Sequence, residues 1–293
     1  MKRPKLHFAI LCAIIALSLP AAAARQVIDE SGRNVTVPDH AHRIICLTPS
    51  ITDTVYAIGA GNDVVGITDY TIYPPQARQK TSVGDVLRPS LERIAVLHPD
   101  LVIGIASFND AETIRGIERM GIAVFLINGS GLEGLYHSIA SIGRAVGRDS
   151  ESATLVSQLR TRERNVRLLA QSGTHPKVFF ALSIDPCITA GHRAFITELL
   201  TAAGAHSVTD DLAQEWVNVN VEAILPKKPD FVLLLKDSPF GVKEMRDHPG
   251  WRSFEAVRMG RVIRVDDRLQ YPSPVAFDAL ESLAAQLHSA QIR

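Results

Sequence analysis

Glu92 and Glu222 lie in two segments, 130 residues apart, with nearly the same sequence. Ser90-Leu91-Glu92-Arg93-Ile94 leads to Pro99-Asp100-Leu101-Val102, and Asn220-Val221-Glu222-Ala223-Ile224 leads to Pro229-Asp230-Phe231-Val232. In both, Ile follows Glu by two residues, Pro by seven, Asp by eight and Val by ten. Each Glu also lies two residues after a good helix N-cap, Ser90 or Asn220. A single Glu in a first helical turn complements the helix dipole, worth about 0.3–1 kcal/mol. Repetition says more: a short helix and a buried strand occur twice, so the chain has two similar lobes, with one carboxylate at the matching place on each.

Signatures of catalysis are absent from the sequence. It contains no GxSxG, HExxH, GxxxxGK[ST] or post-strand GxGxxG, and Gly59-Ala60-Gly61 follows a helix and reads as its C-terminal stop. The ten His residues have no ligand spacing and no CxxC exists, so no metal site is expected. His192 with Asp185 is the best acid–base pair for a rival reading, an exported cleft enzyme such as a hydrolase. The weight falls on binding, with no catalytic residues and no covalent cofactor.

The elements that position the glutamates follow from the apolar runs. In the first lobe, strands are expected at 43–47, 64–67, 101–105 and 123–127, with helices at 49–58, 91–97 and 111–120. The second lobe replays this order with strands at 177–182, 231–235 and 262–265. Its helices are expected within 192–203 and near 221–225, with a last one at about 274–287. Arg258-Met259-Gly260 copies Arg119-Met120-Gly121, each placed before a strand. Short apolar strands alternating with helices imply parallel sheets covered on both faces. Between the lobes, Leu155, Leu159, Val166 and Leu169 give 150–170 the apolar stripe of a helix. Such a helix extends about 32 Å and makes a stiff connector. The expected fold is α/β: two similar lobes with mostly parallel central sheets, joined by one long helix, with a ligand cleft between them. The boundaries are 25–146 for the first lobe, 147–173 for the connecting helix and 174–293 for the second lobe.

Residues 1–24 have the layout of a cleaved secretory signal: Lys2, Arg3 and Lys5, an apolar run to Leu19, then Pro20 and small residues to Ala24. The apolar run is too short to span a bilayer, which takes about 20 residues. No Cys stands at the small-residue site, so the expectation is export to the periplasm without a lipid anchor. Loss of three of the 31 basic residues leaves 28 against 31 acidic ones, a formal charge of −3. With no basic patch, nucleic acid is not an expected partner. Cys46 reads as a small buried hydrophobe and Cys187 as a loop residue of the other lobe, so no bond between them is expected.

Three stretches carry a resemblance: Arg43-Ile44-Ile45-Cys46-Leu47-Thr48-Pro49-Ser50-Ile51-Thr52; Val65-Gly66-Ile67-Thr68-Asp69-Tyr70 with Tyr73-Pro74-Pro75; and Leu91-Glu92-Arg93-Ile94 with Pro99-Asp100-Leu101-Val102-Ile103. They resemble the periplasmic substrate-binding proteins of ABC importers for vitamin B12, iron-siderophores and haem, most of all the cobalamin binders, over 43–290. The resemblance implies that Glu92 and Glu222 dock into Arg pockets on the two copies of an inner-membrane permease. Two carboxylates on the outer tips suit a two-fold symmetric partner. The binding protein itself is expected to be a monomer.

The ligand, a corrinoid or another metal chelate, is expected among loops at the C-terminal ends of the strands, where aromatic faces bury large area at little entropic cost. Candidates are Tyr70, Phe108, Trp216, Phe240 and Tyr271, with Tyr70, Trp216 and Asp267 at positions that the resemblance assigns to cobalamin contact. Several of the family's aromatics are missing: Val86 and Ile105 replace Trp, Ile188 replaces Phe, and Tyr271 replaces an Arg. A haem would want an axial Tyr or His, for which Tyr70 and His192 are available. Trp251 is expected to pack in the core. A sensor subunit on the same scaffold is the third reading.

Overall fold

A computed structural model describes residues 24–171 and 173–290, so the signal expected at 1–24 falls, up to residue 23, outside the described residues. An antiparallel hairpin, β1 (Ala24–Ile28) and β2 (Asn34–Pro38), comes first. It docks on the first lobe, where the Glu30 N–H donates to the Leu126 carbonyl at 2.9 Å.

The first lobe is built on β3 (Ile44–Cys46), β4 (Val64–Ile67), β5 (Thr81–Ser82), β6 (Leu101–Ile105) and β7 (Ala123–Ile127). They form one sheet in the order β5-β4-β3-β6-β7, with every pairing parallel. Helices α1 (Pro49–Ala57), α2 (Leu91–Val96) and α3 (Ala111–Arg119) make the crossovers, and α4 (Gly131–Val146) follows the last strand. After α5 (Asp149–Gln171), the second lobe begins with β8 (Lys177–Ala181). A small antiparallel sheet of β9 (Ser183–Ile184), β10 (Cys187–Ala190) and β12 (Trp216–Asn218) branches from it, in the order β12-β10-β9. The main sheet has the order β11-β8-β13-β14, all parallel, with β11 (His206–Ser207), β13 (Phe231–Leu235) and β14 (Val262–Val265). Its helices are α6 (Phe195–Ala202), α7 (Val221–Ile224), α8 (Val242–Asp247), α9 (Glu255–Arg258) and α10 (Ala276–Ala290).

Alternate strand residues face opposite sides of each sheet and so build different cores. Ile44, Cys46, Val178, Phe180 and Leu233 join one apolar cluster that passes through both lobes and includes Leu159 and Val166 of α5. Ile45, Leu47 and Val102 turn to an outer cluster of the first lobe, and Phe179, Val232 and Leu234 to one of the second. Trp251 is the centre of that last cluster, as expected: it is fully buried, stacked 5.2 Å from Phe179, and its indole N–H donates to the Ile184 carbonyl at 3.0 Å.

The connecting helix α5 buries Ser152, Leu159 and Val166 at seven-residue steps, with Leu155 half-buried, whereas Leu169 is 43% exposed near the helix end, against expectation. Polar clamps hold it to both neighbours. Arg160 makes a bidentate pair with Glu133 of α4 at 2.8 and 2.6 Å, and the Tyr136 hydroxyl donates to Glu163 at 2.7 Å. On the other side Arg162 reaches Glu281 and Asp278 of α10, at 2.7 and 2.6 Å.

Cys187 corrects the sequence reading: it opens β10 opposite Ile184 and does not lie in a loop. A two-residue strand partner leaves no periodicity to read. Cys46 and Cys187 are free and buried, in different clusters, and burial pushes each thiol up to about 12. The twin tripeptides behave alike: α3 ends at Arg119 and α9 at Arg258, each followed by Met and then a glycine at φ +77° or +70°.

Candidate ligand cleft and docking surface

In a parallel sheet all strands end on one edge, and the loops leaving that edge gather the candidate side chains. Tyr70 lies three residues past β4 and Phe108 three past β6, and both are exposed, at 66% and 54%. Two apolar side chains that the sequence reading passed over accompany them: Leu87, 53% exposed, and Ile72. The 86–88 segment is tied to the loop of Phe108, because the Asn109 amide donates to the Val86 carbonyl at 2.7 Å. Val86 is buried, so Leu87 faces solvent in its place.

On the second lobe Asp267 lies two residues past β14 and opens a 3-10 turn, Asp267–Gln270, that ends at Tyr271. The Asp237 N–H, just past β13, donates to Asp267 Oδ2 at 3.3 Å. Burial, and then the charge of Asp237, push the Asp267 carboxyl above the ordinary range. Burial and the Asp267 charge push the Tyr271 hydroxyl up in turn. By contrast, the hydrogen-bonded Arg268 holds Asp266 below the ordinary range.

The remaining candidates are distributed less evenly. Trp216 lies on strand β12 rather than in a loop, half-buried, with its ring 6.3 Å from Phe180. Phe240 is half-buried against the outer core of the second lobe, and its carbonyl accepts from Arg264. His192 does not pair with Asp185; its Nδ1 lies 3.0 Å from Asp210, both side chains being exposed, which removes the acid–base pair of the enzyme reading. Among the described residues no ring contact joins Tyr70 or Phe108 to the second-lobe candidates. Arg268 of the second lobe lies over the Tyr73 ring of the first, 5.7 Å from its centroid. Among the described residues no group of His, Cys, Asp and Glu is placed to hold a metal ion, and no helix is long and apolar enough to cross a membrane.

Glu92 and Glu222 occupy the second position of α2 and α7, and both are exposed. The caps form as expected: Ser90 Oγ accepts from the Arg93 N–H at 3.3 Å, and Asn220 Oδ1 from the Glu222 N–H at 2.9 Å. The rest of each repeated segment has a structural duty. Asp100 accepts from the Arg43 N–H at 3.1 Å just before β3, and Asp230 accepts from the Lys177 N–H at 2.8 Å at the start of β8. Even the strained turns match: His98 and Lys228, six residues after each Glu, have φ +43° and +47°. The two glutamate carboxylates, by contrast, have no hydrogen-bond or ion-pair partner among the described residues.

Proteins of related sequence and fold are known. An uncharacterized ABC transporter substrate-binding lipoprotein of Bacillus subtilis is 30% identical over 268 residues, covering 89% of this chain and 84% of that protein. A vitamin B12-binding protein of Vibrio cholerae is 26% identical, over 87% of this chain and 92% of its own. Among solved structures, the apo form of a periplasmic heme-binding protein from Roseiflexus sp. RS-1 superimposes with a TM-score of 0.78 at 28% identity, covering 86% of this chain and 99% of that one. The family model for a periplasmic binding protein matches residues 44–269, well over half of the 293 residues. Two α/β lobes, a connecting helix and a free glutamate on each lobe therefore belong to a member of the periplasmic binding protein family, the substrate-binding proteins of ABC transporters.

Proposed function

We propose that the chain captures a corrinoid in the cleft between its lobes and delivers it to an ABC importer permease, with Glu92 and Glu222 as the docking residues. One observation carries the docking half: in two segments that match in caps, backbone strain and Asp contacts, the glutamates at the matched positions are exposed and have no hydrogen-bond or ion-pair partner among the described residues. Side chains that are exposed, charged and without structural work at matched sites suit a partner of two-fold symmetry. Replacing both by Ala abolishes ligand-dependent stimulation of the reconstituted transporter and leaves ligand affinity intact. A loss of affinity would move them into the cleft or the fold.

The corrinoid half is supported by the vitamin B12-binding relative and by the first-lobe rim of Tyr70, Phe108, Leu87 and Ile72. Such a rim covers the face of a flat macrocycle without demanding charge from it. Haem is the second reading, favoured by the heme-binding structural relative and by the exposed Tyr70 ring. Parallel titration with cyanocobalamin, haemin and a ferric siderophore separates them. Binding of none below about 10 μM removes the transport reading.

The domain limits 25–146, 147–173 and 174–293, transport rather than catalysis, a monomeric state and a periplasmic location belong to the same proposal. The Bacillus relative is named a lipoprotein, so the expectation of an unanchored product has its own test. Osmotic shock of cells expressing the full chain should release it without detergent.

A further inference from the structure

The first four N–H groups of a helix lack partners within it, and they are usually met by a side chain just upstream. Helix α4 departs from this pattern. Its N-cap, Ser130, makes no side-chain cap bond, and the Leu132 N–H instead donates to Glu198 Oε2 at 2.8 Å. Glu198 belongs to α6, the first helix of the opposite lobe. The fit is close: Gly131 has φ +69°, and a Cβ there would lie 2.8 Å from the Glu198 carboxylate carbon.

A matching arrangement runs in the opposite direction between the lobes. Asp53 is 6% exposed in the middle of α1, the first helix of the first lobe. Its Oδ2 accepts from the N–H of Val275, directly ahead of α10, at 3.1 Å. The other groups that bear on it electrostatically are Ser273, Asp278 and Arg268, all of the second lobe. An acid buried in mid-helix is costly unless it has partners, and for Asp53 those partners are supplied across the interface.

We propose that Asp53 and Glu198 are positioning residues: each caps the last helix of the opposite lobe, and the crossed caps fix the orientation of one lobe on the other. Each lobe offers a carboxylate from its first helix and receives one at its last. A rotation that draws the lobes apart at α1 breaks the Asp53 cap and uncovers its carboxyl, and one that draws them apart at α6 breaks the Glu198 cap. The consequence for docking, a fixed separation of Glu92 and Glu222, rests on the transport reading above; the caps themselves do not.

The test is a pulsed-EPR distance measurement on the full mature chain, with spin labels on Glu92→Cys and Glu222→Cys attached in the folded state, in which Cys46 and Cys187 are buried. No ligand or permease is needed, so the result is independent of whether the transport reading holds. Adding Asp53→Ala and Glu198→Ala should broaden the distance distribution while unfolding stays cooperative. Asp53→Asn with Glu198→Gln should restore the original width, because an amide oxygen accepts the same N–H. Should the double Ala variant fail to fold, Val275→Pro removes the donor and leaves Asp53 intact; Pro is tolerated at a helix start, and the same broadening is expected. An unchanged width in a folded cap-deleted variant overturns the proposal, as does equal broadening in the Asn/Gln protein.

Discussion

Asp53 is a carboxyl that burial holds above its ordinary value of 3.8, and that shift has a sign in stability. The folded chain binds the proton more tightly than the unfolded chain does. The resulting stabilisation is fully present below the unfolded value and is lost as pH rises through the raised folded one. Asp53→Asn keeps an oxygen for the Val275 N–H and does not titrate. Wild type should therefore gain stability relative to Asp53→Asn on acidification from pH 7 toward 4 (Tm of both proteins across that range). If wild type loses ground instead, the carboxyl is not desolvated in the folded state. The two tryptophans separate packing from binding in the same manner. Trp251→Ala empties a fully buried, hydrogen-bonded site and should cost about 3–5 kcal/mol in denaturant titration. Trp216→Ala, at a half-buried ring on an edge strand, should cost less stability and more ligand affinity. The reverse ranking would make Trp216 the packing residue.

Element by element, legibility followed the length and regularity of the apolar pattern. The strands over 64–67, 101–105, 123–127, 231–235 and 262–265 were readable to the residue, because they are β-branched or leucine-rich runs, largely buried in all but the half-buried edge strand at 262–265. The paired helices behind Glu92 and Glu222 were readable from their caps. Other parts left little signal. β9 and β10 have two and four residues, too few for a period. The hairpin of β1 and β2 alternates on a half-exposed surface ahead of the first buried strand. Helix α4 contains Gly131, Gly134 and Gly143, which lower helix propensity, and at least two are there for contacts no local pattern encodes. A Cβ at Gly143 would strike Ser152 of α5, and one at Gly131 would strike Glu198. The cleft was legible as a set of aromatic loop residues, but Leu87 was not, since one apolar residue in a charged loop has no period. Gly131→Ala follows at this scale. It combines a positive φ with a blocked carboxylate site, and a side chain in that backbone region costs about 1–2 kcal/mol before the cap is lost. Urea denaturation should show at least that loss; a neutral result would mean that α4 can start elsewhere.

At the scale of the whole molecule, the question is how far the lobes can move when the cleft fills. Hinged binding proteins close over a ligand because few contacts cross their connecting segments. Here one apolar cluster runs from the first sheet through α5 to the second sheet. The connecting helix is clamped by Arg160 to Glu133 on one side and by Arg162 to Asp278 and Glu281 on the other. The crossed caps of Asp53 and Glu198 add two polar contacts between the lobes. A wide closure would have to expose part of that shared core, at a cost of roughly 25 cal/mol for each Å² of apolar surface uncovered. The lobes should then shift little, and capture should proceed by rearrangement of rim side chains such as Tyr70, Leu87 and Phe108. Small-angle scattering of the mature chain with and without a saturating ligand checks this, with superimposable pair-distance distributions as the expected result. A clear shortening of the maximum dimension on ligand addition would mean that the shared core yields to closure, and that the spacing of Glu92 and Glu222 reports ligand occupancy to the permease.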